Sequence, residues 1–119
     1  MPRYHRKLAA FSLADDLALK VYSLTTRFEP TEHYGLRLQI RRAAVSVPTN
    51  IVEGSARESQ AEFLRFLEIA FGSSREVVYL ADLSRRLGFL EAAGADRVTA
   101  DGNRVAATLG ALRRSLRGR

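Results

Sequence analysis

Side chains that could catalyse a reaction or hold a metal are sparse in this sequence, and their spacing suits neither task. The 119 residues contain no cysteine, and the two histidines, His5 and His33, belong to no His-x-x-x-His or Glu-x-x-His pair. Such pairs supply ligands in common zinc and di-iron sites. The glycine-rich phosphate loops and the G-x-S-x-G hydrolase elbow are also missing. We therefore expect no metal, no cofactor and no catalytic site, and hence a protein that is not an enzyme.

Arginine is the residue type with the clearest chemical potential. The formal net charge is +6, from 19 Lys+Arg against 13 Asp+Glu, and only Lys7 and Lys20 are lysines. The planar guanidinium group presents a fork of N–H donors that suits phosphates and carboxylates. An arginine-rich, basic chain favours a nucleic-acid partner. Solubility combined with a GC-rich genome would explain the same composition, so composition leaves both interpretations open.

The last part of the chain is basic throughout. No acid follows Asp101, whereas Arg113, Arg114 and Arg117 lie close to the C-terminus. Cations suit the negative end of a helix dipole. A frayed basic tail could also contact phosphate, so these three arginines are candidate nucleic-acid contacts.

Polar residues in the middle of the chain recur every three or four positions: Gln39, Arg42, Ser46, Asn50 and Glu53. A helix would place them in one stripe beside an apolar stripe. The polar stripe could be a solvated face or a buried hydrogen-bond network between helices or subunits, where unpaired polar groups would be costly. We favour the network, because Pro48 in the same helix frees a backbone carbonyl. Pro48 also predicts a kink or break in that helix.

Apolar residues repeat at helical spacing through nearly the whole chain and predict four helices. The predicted helices span residues 12–28, 32–53, 59–87 and 92–116, the second beginning near Thr31 or after Gly35. Strand-type alternation does not compete with this pattern, and the predicted loops are short. We therefore expect an all-α, antiparallel up-down-up-down four-helix bundle that forms one domain over residues 1–119.

The first helix is predicted to begin with a capping box at Ser12 and Asp15. Asp16 adds acid to the positive end of the helix dipole, and adjacent residues on a helix do not face each other as a catalytic pair would. The two acids also interrupt the apolar run 8–13, so we expect no signal peptide. Pro30 is predicted to end this helix.

The third helix carries the clearest boundary signals. Ser59 and Glu62 predict a capping box at its start, and Gly88 predicts its C-terminal cap. Inside it, the small residues of segment 70–74, among them Gly72, predict a close approach of another backbone. The fourth helix is weaker because three glycines dilute it: Gly94, Gly102 and Gly110.

Two segments resemble a known family. The first reads Glu32-x-Tyr34-Gly35-Leu36-x-x-Gln39-x-Arg41-Arg42-Ala43-Ala44-x-Ser46-Val47-Pro48-x-Asn50-Ile51-x-Glu53-Gly54-x-x-Arg57. The second reads Glu62-Phe63-x-x-Phe66-Leu67-x-Ile69-Ala70-x-Gly72-Ser73. Both resemble the four-helix-bundle proteins encoded in 23S rRNA intervening sequences, and the likeness extends from about Phe11 to Leu116.

The resemblance implies an assembly and a class of partner. Members are four-helix bundles that tend to form homopentameric rings, and they have no established activity. The family is also similar to the accessory variability protein of diversity-generating retroelements, a basic pentamer that binds nucleic acid and a reverse transcriptase. By this analogy Arg41, Arg42 and Arg57 are the first candidates for phosphate contact. A pairing of Arg42 or Arg57 with Glu53 would explain the same residues without a ligand.

Two functions follow as hypotheses. The first is a non-enzymatic, oligomeric accessory protein that binds the backbone of RNA or DNA. The alternative is a homo-oligomeric protein–protein scaffold without affinity for nucleic acid. Because no stretch approaches the roughly 20 apolar residues of a membrane span and cysteine is absent, we expect a cytoplasmic protein without a membrane partner.

Overall fold

Helical spacing of the apolar residues produces four α-helices in the computed structural model, which describes residues 4–5 and 8–118. They are α1 (Ala9–Leu24), α2 (Leu36–Ser55), α3 (Gln60–Arg86) and α4 (Ala92–Arg117), and a short 3₁₀-helix (Pro30–Glu32) precedes α2. The part of the chain that the structure describes contains no strand. The predicted all-α class with four helices is therefore confirmed.

Each helix buries one apolar face in a shared core. Helix α1 packs against α2 and α4, and α3 packs against the same two helices. The largest fully buried hydrophobic side chains come from all four: Leu17, Val21, Ile40, Val47, Ile51, Phe63, Leu67, Val77, Val98, Val105 and Leu109. Full burial of one such side chain contributes about 1.5–3 kcal/mol relative to exposure, so the core determines where each helix lies.

The predicted boundaries of the first helix were wrong at both ends. Helix α1 begins at Ala9, and Ser12 lies inside it without capping the first turn. Burial explains the earlier start, because Ala10 is only 1% exposed and extends the apolar face of the helix by one turn. The helix ends at Leu24 rather than at Phe28, and the hydroxyl of Thr25 donates to the carbonyl of Val21 at 2.7 Å.

Helix α2 begins at Leu36, directly after Gly35, which is one of the two predicted starts. Pro48 was predicted to kink or break the helix; the helix does not break there and continues past Gly54 to Ser55. A proline inside a helix costs about 3 kcal/mol. Val47 and Ile51 on either side of Pro48 are fully buried, and their burial offsets much of that cost.

One half of the capping box predicted at the start of α3 is confirmed. The hydroxyl oxygen of Ser59 accepts from the backbone N–H of Glu62 at 3.1 Å. After the helix, Gly88 adopts a φ of +85°, which favours glycine at a helix C-terminus. The close approach predicted for segment 70–74 does not involve Gly72, which is exposed and where a Cβ would meet nothing within 4 Å, whereas Ala70 and Ser74 of the same segment are fully buried.

Close approaches occur instead at two other glycines. A Cβ on Gly54 would lie 2.7 Å from the Cβ of Phe66, and one on Gly102 would lie 2.6 Å from a methyl of Val78. Gly102 is buried in α4, which runs uninterrupted from Ala92 to Arg117. The glycines that weaken the helical propensity of α4 therefore allow it to pack closely, as Gly102 does on α3.

The described residues offer neither a metal cluster nor a membrane span. Within residues 4–5 and 8–118, no group of three or more His, Cys, Asp or Glu side chains could hold a metal ion. Among the helices of that same region, none combines the length and apolar character needed to cross a lipid bilayer.

Candidate nucleic-acid interface

Arg41 ties α2 to the end of α1. Its Nε donates to the Thr25 hydroxyl at 2.9 Å and its Nη2 donates to the Tyr22 carbonyl at 3.2 Å. The guanidinium carbon also lies 4.3 Å from the centre of the Tyr22 ring. A cation at the C-terminus of a helix satisfies late carbonyls and complements the dipole. Arg41 therefore has a structural role, whereas from the sequence it was considered only as a candidate for phosphate contact.

Replacing Arg41 by lysine tests this structural role. Lysine keeps the charge but lacks the planar fork that reaches Thr25 and Tyr22 together. Loss of one net hydrogen bond predicts a decrease of about 1 kcal/mol in the free energy of unfolding. Urea denaturation measures it, with Arg104→Lys, on the exposed face of α4, as the matched control. Equal stability of the two variants would contradict the structural role.

A groove of about 640 Å³ runs along α2 beside Arg41, and we call it the α1–α2 groove. Its lining contains no carboxylate. The lining residues are Tyr22, His33, Tyr34, Arg37, Leu38, Arg41, Arg42, Val45, Ser46, Thr49 and Asn50. Arginines clustered in a lining without carboxylates create a positive potential that attracts anions.

Arg37 and Arg42 are the arginines of this groove whose guanidinium groups form no hydrogen bond, ion pair or cation–π contact with a described residue, whereas Arg41 bonds to α1. Arg42 is exposed and Arg37 is half-buried. No ion pair links Arg42 to Glu53 within residues 4–5 and 8–118. The guanidinium groups of Arg37 and Arg42 are therefore available to an anion, whereas Arg41 is already held by α1.

The turn before α2 presents Tyr34 at the rim of the groove. The backbone N–H of Gly35 donates to the Glu32 carbonyl, and that of Leu36 donates to the Glu32 carboxylate, both at 3.2 Å. These bonds fix the backbone on the C-terminal side of Tyr34, yet the residue is 91% exposed. The turn thus displays an aromatic ring to solvent from an ordered position.

The predicted polar stripe is divided between a hydrogen-bond network and solvent. Asn50 Nδ2 donates to the Ser46 carbonyl at 2.7 Å and to the Ser46 hydroxyl at 3.0 Å. That hydroxyl lies 2.9 Å from the Ser73 hydroxyl, which links α2 to α3. Gln39 and Glu53, like Arg42, are exposed. The network thus joins two helices, and the rest of the stripe faces solvent.

The other candidate arginines lie outside the α1–α2 groove. Arg57 follows α2, with its guanidinium carbon 4.9 Å from the centre of the Phe66 ring. Arg113 and Arg117 on α4 both form ion pairs with Glu68 on α3, Arg113 at 3.9 Å. The acid-free C-terminal segment is therefore partly neutralised by an acid that is distant in sequence.

The comparison with known families decides the identity of the chain. The family model of the 23S rRNA-intervening sequence proteins matches residues 6–111. The chain belongs to this family. The resemblance predicted from the two sequence segments is thereby confirmed.

A solved structure shares the fold of this 23S rRNA-intervening sequence protein. It is the crystal structure of a protein of unknown function from the S23 ribosomal protein family of Bacteroides thetaiotaomicron. The TM-score is 0.82 at 20% sequence identity, and the match covers 88% of this chain and 98% of that one. Identity at this level demonstrates the fold alone. Among curated proteins, none matches the sequence significantly.

A second groove of this 23S rRNA-intervening sequence protein also lacks carboxylates. It has a volume of about 590 Å³ between α3 and α4 and includes Phe71, Arg75 and Arg114. Here Arg75 donates to the Asn103 side chain at 3.1 Å, and Arg113 lies 4.8 Å from the centre of the Phe71 ring. The aromatic ring and one cation of this groove are thus already engaged, unlike Tyr34, Arg37 and Arg42.

Arginines near the end of α3 are neutralised locally. Asp82 accepts from Arg85 and Arg86, each at 2.9 Å. The hydrogen bond from Arg85 is the main reason that the pKa of the Asp82 carboxyl lies below its ordinary value, and the charge of Arg86 acts in the same direction. The Asp82 carboxylate therefore remains charged at neutral pH and offsets part of this positive cluster.

Sequence reasoning missed the aromatic part of the α1–α2 groove in this 23S rRNA-intervening sequence protein. Tyr34 lies in the turn before α2, but Arg37, Arg41 and Val45 recur every four positions, so the common face of these three could have been inferred from helical spacing. Tyr22 could not, because it joins the groove only through the packing of α1 on α2.

Proposed function

We propose that this 23S rRNA-intervening sequence protein is a non-enzymatic, cytoplasmic accessory protein that binds the backbone of RNA or DNA as a homo-oligomer. The observation that carries the proposal is the α1–α2 groove, in which three arginines and a histidine are gathered without a carboxylate. Phosphate oxygens are the natural ligands of such a cluster.

The proposed assembly would repeat the groove in every subunit. Gln60, at the start of α3, donates to the carbonyl of Leu116 near the end of α4 at 2.9 Å. This contact supports helices that alternate in direction, as in an up-down-up-down bundle. The family resemblance favours a pentameric ring. Several grooves on one ring would strengthen binding to a long strand by about 10²–10⁴-fold through avidity.

The salt dependence of binding tests backbone contact. Fluorescence anisotropy would measure the affinity for labelled RNA and DNA of mixed sequence. With three phosphate contacts per single-stranded site, the logarithm of the affinity should fall with the logarithm of salt at a slope of about −2. Affinity then decreases about 20-fold between 0.05 and 0.2 M salt. An affinity that stays constant over this range would contradict the proposal.

The alternative function is a protein scaffold, and specific contacts favour it. Arg113 and Arg117 pair with Glu68, and Arg41 is bound to α1, so these arginines already have partners within the chain. Light scattering at about 0.15 M salt, where surface charges are substantially screened, distinguishes the two functions. If the measured mass of the oligomer increases by the mass of the added RNA, nucleic-acid binding is supported. If the mass of the oligomer is unchanged by RNA, the scaffold is supported.

A further inference from the structure

We infer that the α1–α2 groove binds single-stranded nucleic acid, with an unpaired base stacked on Tyr34 and the adjoining phosphates on Arg37 and Arg42. The inference rests on the proposed function and adds to it the strandedness of the ligand and the residue that recognises a base. It follows from the arrangement of aromatic, apolar and cationic side chains in one groove.

The Tyr34 ring has the properties of a stacking platform. It is 91% exposed, and no aromatic or cation–π contact within residues 4–5 and 8–118 involves it. Its turn is held by backbone bonds to Pro30 and Glu32, since His33 N–H donates to the Pro30 carbonyl at 3.2 Å and Gly35 N–H to the Glu32 carbonyl. The backbone beneath the ring is therefore already ordered, and only the side-chain torsions of Tyr34 remain to be fixed when a base packs against it. Exposed aromatic rings beside basic grooves are a recurrent means of binding single strands.

The cations of the groove are placed for phosphates that flank a stacked base. Arg37 lies three residues after Tyr34, in the first turn of α2, and Arg42 continues the lining towards the middle of that helix. Arg41 is fixed in place by Thr25 and by the Tyr22 ring, 4.3 Å away. Only two of its five N–H groups are used in bonds to described residues. A cation that is already held in one rotamer adds attraction at a small ordering cost.

The apolar part of the lining favours a single strand over a duplex. Leu38 and Val45 lie among the arginines of the groove, and Val45 is 40% exposed. A duplex hides its base faces inside the helix and would offer only phosphates and groove edges to these side chains. A single strand can splay its bases out, so that their apolar faces cover Tyr34 and the nearby aliphatic side chains.

An acidic peptide is the main competing ligand of the same charge. Carboxylates would satisfy Arg37 and Arg42, but they carry no aromatic face for Tyr34. The two ligands are therefore distinguished by whether binding depends on the Tyr34 ring.

The experiment uses the full chain and an optical reporter at Tyr34. The protein has no tryptophan, so the variant Tyr34→Trp carries a single indole fluorophore at the proposed stacking position. We expect its emission to be quenched by a short single-stranded RNA or DNA, and much less by the duplex of the same sequence. In anisotropy measurements Tyr34→Ala should bind the single strand about tenfold more weakly, whereas Tyr34→Phe should bind like the wild type.

A matched control comes from another exposed tyrosine. Tyr79 lies on α3, outside the groove, and is 56% exposed. Tyr79→Ala should leave single-strand affinity unchanged. Because both tyrosines are exposed, neither alanine variant should alter the fold, which circular dichroism would check.

Each remaining outcome separates the inference from the proposed function. If the wild type binds single strand and duplex equally, and Tyr34→Ala binds like the wild type, the stacking inference is overturned while backbone binding stands. If the wild type binds neither form at about 0.05 M salt, where screening is weak, both are overturned. If polyglutamate binds as tightly as RNA and quenches the emission of the variant Tyr34→Trp equally, the groove is a protein-docking surface and the inference is wrong.

Discussion

Replacing Arg37 and Arg42 together by alanine should weaken binding to single-stranded RNA about 60-fold at 0.05 M salt. The two substitutions should also make the salt slope shallower by about 1.4, because each phosphate contact on a single strand contributes about 0.7. Plots of the logarithm of affinity against the logarithm of salt concentration should converge for variant and wild type near about 1 M salt, where the contribution of counterion release vanishes. Anisotropy titrations at several salt concentrations measure both quantities.

The expected loss of affinity depends on Arg37 and Arg42 having no ion pair that the substitutions would also remove. Neither forms an ion pair with a residue in the described part of the chain, so their removal leaves no unpaired acid. Arg41 is different, because it also bonds to Thr25 and Tyr22. Its replacement would combine lost affinity with lost stability, and Arg37 and Arg42 therefore provide the cleaner test.

A control variant removes the same charge from another face. Arg97 and Arg104 are exposed on α4 and separated by two helical turns, and α4 does not pack against α2. The double variant Arg97→Ala, Arg104→Ala should weaken binding at most about threefold, because distant charges are screened by salt. If both double variants lose affinity equally, net charge rather than the groove accounts for binding.

The fold could be predicted where local chemistry and burial agree. Ser59 caps α3 as predicted, since its hydroxyl bonds to Glu62 and the first apolar face of the helix begins at Phe63. Ser12 offered a similar local signal, but burial of Ala10 extended α1 past it. At Pro48 the local signal predicted a kink or a break, and the helix continues without a break because Val47 and Ile51 are fully buried beside the proline.

The candidate site was predictable in part for the same reason. Residues of α2 such as Arg37 and Arg41 share a face that helical spacing reveals. The position of Tyr22 beside Arg41, and of Glu68 beside Arg117, depends on which helices are neighbours. Such contacts join residues far apart in sequence, so a charge count along the chain could not reveal that the C-terminal arginines have an acidic partner.

The close contact, or seam, between α2 and α3 depends on Gly54, which has no side chain. At Gly54 an added Cβ would lie 2.7 Å from the Phe66 Cβ and 3.2 Å from a ring carbon of Phe63. The Cβ of Phe66 is attached directly to the backbone of α3, so it cannot move aside by changing rotamer. Phe63 is almost fully buried, so its ring has little free space to move into.

Replacing Gly54 by alanine should therefore lower the free energy of unfolding by about 1–3 kcal/mol, the usual range for an overpacked core. The matched control is Gly72→Ala in α3, where an added Cβ would meet nothing within 4 Å. Alanine there should raise stability by about 0.5–1 kcal/mol, because it restricts the unfolded chain and favours the helix. Urea denaturation measures both variants. The expected signs are opposite although the substitution is the same, and stabilisation by Gly54→Ala would demonstrate that α2 and α3 are not in close contact at this seam.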